Sequence, residues 1–138
     1  MSDADDPIQQ SFATDTLIHR MDMRIAEVTP QRAVGTIPVH GNTQPYGMLH
    51  GGATAALAET VGSLAAMAHA GDDQIAVGVD LNITHHRAVR DGLVHATASA
   101  VHLGRTTATY TISVTDDQQR IIASARLTCA IRAKSGRR

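Results

Sequence analysis

An excess of charge of either sign is missing from this sequence. Its 12 lysines and arginines stand against 13 aspartates and glutamates over 138 residues, so no broad basic face for nucleic acid or anionic lipid is expected, and the partner should be small or protein. Cysteine is nearly absent. Cys129 stands alone, which excludes a disulfide within the chain and fits a reducing compartment. A secretory signal is missing too: the opening MSDADDPIQQ is acidic and polar, with neither a basic segment nor an apolar one. The Asn82-Ile83-Thr84 sequon therefore carries no weight. No run matches the roughly 20 strongly apolar residues of a membrane helix. Residues 53–70 come nearest, but they are rich in alanine and carry Glu59. A cytoplasmic protein with no membrane and no nucleic-acid partner is the expectation.

What is present suits one domain: the length is near the common domain size, and 43% hydrophobic residues can bury a real core. Residues 1–13 read as a loose leader, 14–133 as the domain and 134–138 as a basic tail. The stretch DTLIHRM predicts a short helix capped by Thr14 or Asp15. From Met21 the pattern has period two. Met21, Met23 and Ile25 point one way, and after a turn at Thr29-Pro30 so do Ala33, Gly35, Ile37 and Val39. A loop from His40 to Leu49 leads into a long apolar segment that ends at Gly71, a C-cap signal. Four more alternating runs follow: Val77 to Ile83, Val94 to Ala100, Ala108 to Val114 and Ile121 to Ile131. Asp91-Gly92, Leu103-Gly104 and Asp116-Asp117 mark the reversals between them. The order strand, strand, long helix, four strands predicts an α+β fold in which one helix packs on an antiparallel sheet. No internal repeat or low-complexity linker is present.

The helix and its approach, NTQPYGMLHGGATAALAETVGSLAAMAHAG, carry the chemistry. At 3.6 residues per turn, Leu57, Val61, Leu64 and Ala68 form one stripe, suited to the sheet, and Gly52, Ala56, Glu59, Ser63 and Ala66 form another. Everything on the second stripe is small except the acid, so a ligand or another surface can approach and meet Glu59 and Ser63 together. An ionised carboxylate in a dry core is costly unless paired. Glu59 is thus either a solvated residue on the wet side, as most glutamates are, or a reactive group. The residues ahead of the helix bear on that choice. Gly51 and Gly52 place backbone N–H groups at a helix N-terminus, where a carbonyl or anion is polarised, and Gln44 and His50 flank the point. A glycine pair at such a junction is ordinary, and so is a lone histidine. Together with a carboxylate further along the helix, they make up the parts for attack on an acyl carbonyl.

The pattern N..Q..G.LHGG......AE..GS, followed by VGVDLNITHHRAV, resembles the hotdog-fold acyl-CoA thioesterases. The likeness is greatest to the branch with the Arthrobacter-type 4-hydroxybenzoyl-CoA thioesterase, the phenylacetate-pathway thioesterase and the proofreading thioesterase of enterobactin synthesis. It covers residues 15–133. It implies a sheet wrapped around a central helix, with Glu59 as the catalytic carboxylate. Gln44 and His50 would stand around the thioester carbonyl, which the Gly51 N–H would polarise. Thr60 and Ser63 match positions near the attacking water or the acyl group, and His85 and His86 a histidine pair at the acyl end of the pocket. The resemblance also implies a dimer, usually paired into a tetramer, with Glu59 of one chain facing Gln44, His50 and Gly51 of the other. Helical geometry agrees, since His50 and Glu59 differ by about 180° around the axis and cannot easily meet within one chain.

Arg87, Arg90 and the tail KSGRR are candidates for coenzyme A phosphates, or else plain solvated charges. Metal binding is not expected. His50, His85 and Glu59 lack zinc spacing, the two histidines of THHR point to opposite faces of a strand, and the resembled family uses no metal. Nor is a cofactor expected, coenzyme A being part of the substrate. Ser63, His50 and Glu59 do not form a triad, because no nucleophile elbow accompanies them. Three functions stay open: hydrolysis of an acyl-CoA or acyl-carrier-protein thioester, hydration or dehydration of such a thioester, and non-catalytic acyl-CoA binding. The acyl group is not specified, and Glu59 is either nucleophile or general base.

Overall fold

Period-two apolar runs that turn one face inward can bury it only against another layer, and here that layer is a single helix. The computed structural model describes residues 7–10 and 12–134. In chain order these form α1 (Pro7–Gln10), α2 (Leu17–Arg20), β1 (Arg24–Val28), β2 (Arg32–Pro38), α3 (Gly51–Ala70), β3 (Gln74–His85), β4 (Leu93–Leu103), β5 (Thr107–Thr115) and β6 (Ile121–Ala133). The strands make one antiparallel sheet in the order β1-β2-β4-β5-β6-β3. Because α3 contacts all six strands, the sheet curls around it. This is the hotdog arrangement.

The inward rows of β1, β2, β4 and β5 are the expected ones. Met23, Ile25, Ala33, Ile37, Val94, Ala96 and Tyr110 are among the residues buried there. The Tyr110 hydroxyl donates to the Pro30 carbonyl at 2.6 Å, tying β5 to the β1–β2 turn, and burial, aided by Cys129, pushes its pKa up to about 12. Gly71, at φ 81°, ends α3 as expected. In the β5–β6 turn, Asp116 accepts from the Gln118 and Arg120 N–H groups and from Arg120 Nε. Burial opposes its charge, but the Arg120 and Gln118 donors outweigh it and hold its pKa below the usual value. Its stabilising effect is therefore present above the ordinary carboxylate pKa and lost as pH falls through the lowered one.

Five expectations need correction. The sheet-facing side of α3 is Thr54, Leu57, Ala58, Val61, Gly62, Ala65 and Ala66, whereas Leu64 is half-buried and Ala68 exposed. The small residues let the sheet come close, so the helix turns that side inward instead of centring on its larger side chains. In β3 a bulge between Gly78 and Asp80 breaks the alternation, leaving Val77 and Val79 at 40% and 58% exposure on a strand that, among the described residues, pairs with β6 alone. A second irregularity, between Val114 and Thr115, buries Ile122 in place of Ile121. Asp91-Gly92 is not a hairpin turn: it closes a crossover from the sheet edge to β4, with Val39 N–H bonded to the Gly92 carbonyl. The cap of α2 is Thr16, whose Oγ1 accepts from the His19 N–H.

Part of the 1–13 leader is docked. Gln9 Nε2 donates to the Ile25 carbonyl at 2.9 Å, and Ile8 and Phe12 pack against the core. Residues 1–6 and 11, and 135–138 of the basic tail, lie outside the described residues. Among the described residues no helix is long and apolar enough to cross a membrane.

The closeness of α3 to the sheet is testable at Gly62, where a Cβ would lie 2.6 Å from Leu127 Cδ2. Leu127 is fully buried, so Gly62→Ala should destabilise the protein by about 1–3 kcal/mol through overpacking, despite the better helix propensity of alanine. Urea unfolding measures this. Parental stability would mean that Leu127 has room to move.

Candidate active site

Loop 42–49 is held from several sides. The Asn42 side-chain amide donates to the Met21 and Pro38 carbonyls, His50 N–H bonds the Asn42 carbonyl, and Leu49 N–H bonds the Val89 carbonyl. Within the loop, Gln44 Oε1 accepts from the Tyr46 N–H. This fixes the orientation of the carboxamide and leaves its NH₂ as the free donor. His50 is the N-cap of α3, with Nδ1 accepting from the Gly52 N–H at 2.8 Å. The ring proton of neutral His50 is thereby placed on Nε2. His50's carbonyl takes the Ala53 and Thr54 N–H groups, while the Gly51 N–H has no partner among the described residues. It is one of the orphan donors that every helix start carries, at the positive end of the helix dipole.

Gln44 and Gly51 face a cavity of about 400 Å³ between the loop, the start of α3 and the 85–89 crossover, whereas His50 is exposed and does not line it. Gln44, Gly51 and His85 supply its polar wall, and Met48, Leu49, Val89 and Ile122 its apolar one. His85 lies on the inward face of β3, opposite Ala123, and a Cβ on Gly51 would sit 3.0 Å from its Nε2. His86 lines the same cavity but turns its Nε2 to Ser124 Oγ on the outer side, 3.0 Å away. Arg87 is at the rim, exposed. Arg90 reaches only the Tyr46 carbonyl, at 3.5 Å.

Glu59 is elsewhere. It lies eight residues beyond Gly51 along α3, about 12 Å at the helical rise, and is exposed with no hydrogen-bond partner among the described residues. Its Oε2 rests over Gly78 of β3, within 2.8 Å of where a Cβ would be. Ser63, one turn on, lies beside the buried Cys129 thiol. Burial raises the Cys129 pKa, the Ser63 side chain opposes this, and the nearby Glu59 charge adds to it, so Cys129 stays a protonated thiol. The Thr60 hydroxyl donates to the Ala56 carbonyl at 2.7 Å. One chain thus brings Gln44, Gly51, His85, His86 and Arg87 to one cavity and leaves Glu59, Thr60 and Ser63 outside it. Among the described residues no three His, Cys, Asp or Glu side chains converge to hold a metal ion.

Two residues at these places escaped the sequence reading. Thr54 is 2% exposed, lines the cavity, and has a hydroxyl without a partner among the described residues. Its position one turn after Gly51, on the same helix face, was the available signal. Gly78 was visible as a lone glycine in a strand, which marks a bulge or a close approach.

Residues 46–123 match the thioesterase superfamily, and the chain belongs to that family. It is 38% identical over 117 residues to the proofreading thioesterase EntH of Cronobacter turicensis, covering 84% of this chain and 85% of that one. Among solved structures, thioesterase HI1161 of Haemophilus influenzae is 33% identical with a TM-score of 0.83, over 87% of this chain and 85% of that one. The Staphylococcus aureus thioesterase SAV0944 is 34% identical. It has been solved as a glutamate-to-alanine variant (TM-score 0.82, 86% of this chain and 100% of that one) and as a glutamine-to-alanine variant (0.80, 84% and 98%). The protein is an enzyme that hydrolyses thioesters.

The capping role of His50 can be separated from any catalytic one. His50→Asn supplies another good cap and should keep stability, whereas His50→Ala should cost about 0.5–2 kcal/mol. Thermal unfolding distinguishes them, and equal melting temperatures would mean that the Nδ1 bond to Gly52 contributes nothing.

Proposed function

We propose that the protein hydrolyses acyl-CoA thioesters at a site shared between two copies of the chain. Glu59 of one copy faces a thioester carbonyl held by the Gln44 amide and the Gly51 N–H of the other. The observation that carries this reading is the division of the site. Two unspent donors face a cavity, and an unspent carboxylate sits about 12 Å further along the same helix. The variants solved for the Staphylococcus aureus thioesterase support the same pair, since their replaced glutamine and glutamate are fifteen positions apart, as are Gln44 and Glu59.

The edge strand supports the pairing. Among the described residues β3 has no strand on its outer side, so its edge backbone groups can pair with a second β3 and continue the sheet, with the exposed Val77 and Val79 near that seam. Two such dimers make the tetramer usual in this branch. In the reaction, Gln44 and Gly51 stabilise the oxyanion that develops on the carbonyl, and the Glu59 carboxylate either attacks the carbon or takes a proton from the attacking water. His50 Nε2–H points outward as a further donor. Thr60 and Ser63 stand beside the carboxylate, with Thr60 keeping an acceptor lone pair for water. His85 and the apolar wall receive the acyl group, with His86 at its margin. Arg87, exposed at the rim, and Arg90, exposed beside Tyr46, meet the coenzyme A phosphates or those of a carrier-protein arm. The reaction needs no cofactor, and the reducing setting implied by the free thiol is the cytoplasm.

Glu59→Gln tests the carboxylate. The amide keeps the shape but loses the negative charge, so kcat should fall by roughly 10²–10⁴ with the fold unchanged. Free-thiol release from a panel of aryl- and alkyl-CoA thioesters measures it and ranks substrates as well. Parental rates on every substrate would make Glu59 a solvated surface residue.

Gly51→Pro tests the shared site. Proline is tolerated at the first helical position, where its missing N–H has no helical partner, and His50 already has the extended backbone that precedes proline, at φ −69° and ψ 129°. The variant should lose at least about 10²–10³ in kcat, since it removes the donor and its ring also displaces the exposed His85 side chain, whose Nε2 would lie 3.0 Å from a Cβ there. Mixed with Glu59→Gln and allowed to exchange subunits, it should return about a quarter of parental activity, because half of the random dimers each hold one intact site. Demonstrated exchange with no activity would place the whole site in one chain.

A further inference from the structure

We propose that Gly78 is a positioning residue for thioester hydrolysis: its missing side chain leaves the place that the Glu59 carboxylate occupies on the edge strand. The proposal rests on the assignment of Glu59 as the reacting carboxylate. A Cβ on Gly78 would stand 2.8 Å from Glu59 Oε2 and 3.4 Å from its Cδ, and its remaining close neighbour, Leu127 Cδ1, would be at an ordinary contact distance of 3.4 Å. Backbone freedom does not account for the glycine. The positive-φ glycines are Gly41, Gly47, Gly71 and Gly92, so Gly78 has a conformation open to any L-residue. Glycine inside a strand weakens it, and at this position the one thing gained is room for the carboxylate.

The adjoining bulge serves the same end. Seven positions separate Gly78 from His85, an odd number, so strict alternation would put them on opposite faces of β3. The bulge between Gly78 and Asp80 resets the phase. Gly78 pairs with Cys129, and Leu81, Ile83 and His85 then pair with the inward Leu127, Ala125 and Ala123. One strand thereby offers a bare backbone to Glu59 and an imidazole to Gly51, near the two ends of the active half of α3.

Gly78→Ala separates positioning from folding. The atom in the way is the far end of a flexible side chain, so the fold accommodates the methyl group by moving the carboxylate. A melting temperature equal to or above the parent's is expected, because alanine restricts the unfolded chain and suits a strand better. KM should be unchanged. The kcat should fall by roughly 10- to 100-fold, since a misplacement of about 1 Å costs up to 10²-fold. On a Glu59→Gln background the same substitution should have no further effect on the residual rate, because the two changes act on one group. A slow Glu59→Gln enzyme alongside a Gly78→Ala enzyme with parental kcat overturns the proposal and leaves the role of Glu59 standing. Parental activity in Glu59→Gln removes both. A loss that recurs in full on the Glu59→Gln background, or that follows a fall in melting temperature, makes Gly78 a structural residue and also overturns the proposal.

Discussion

Helix α3 has to touch every strand of one six-stranded sheet, and the rest of the structure follows from that contact. A helix about 10 Å wide lying on a flat sheet with strands about 4.8 Å apart covers only two or three of them. Contact with all six requires the sheet to curl, and the bulges in β1, β3 and β4 supply bends where the ladder is interrupted. It also requires the helix axis to come close. Ala58, Gly62, Ala65 and Ala66 on the helix and Ala96 and Ala98 on β4 are all buried, and none is large enough to hold the two layers apart. The far side carries Glu59, exposed but with its carboxylate resting over Gly78 of β3.

The start of the same helix is shaped by a second economy of groups. A helix N-terminus presents N–H donors that its own backbone cannot satisfy, and here the His50 ring takes one of them while the Gly51 N–H has no partner among the described residues. Loop 42–49 then adds the Gln44 amide beside it, oriented because its oxygen is already bonded to Tyr46. On the proposed reading the two donors are preorganised for an oxyanion: each is held by bonds made elsewhere and would not need to reorient as charge develops.

Much of this was legible in the sequence because strands and helices write their periods into it. Runs such as Ala33 to Val39 and Ala108 to Val114 alternate as simple strands, and they are simple strands. The errors fall where a local device breaks the period. A one-residue bulge moved Val77 and Val79 out of the core, and another exchanged Ile121 for Ile122, since a slip of one residue flips every following side chain. The face of α3 was misjudged for a different reason: ranking side chains by size favours Leu64, while close packing favours alanine and glycine. Among the candidate site residues, types with distinctive chemistry stood out in the sequence, namely Gln44, His50, Gly51 and Glu59, and of these the structure brings Gln44 and Gly51 to the cavity. Thr54 and Gly78 did not, because their significance lies in a hydroxyl without a partner and a side chain that is not there, which only the packing shows.

Glu59 resolves the tension between a carboxylate and an apolar helix without a buried charge. In the single chain it is exposed and solvated, so its presence costs the fold little. On the proposed assembly it meets the partner's cavity and the thioester together, and loses water only when both are in place. Desolvation then falls on the charged form at the moment of reaction, which strengthens its attraction to an electron-poor carbonyl carbon or to a water proton. The fold does not have to hold a buried, unpaired carboxylate in the resting state, a burden that proteins usually relieve by neutralising the group. On the proposed assembly, leaving the acid on the exposed face of α3 and the donors at its N-terminus lets association complete the site, and the bare backbone at Gly78 would keep the carboxylate against the strand edge along which that association runs.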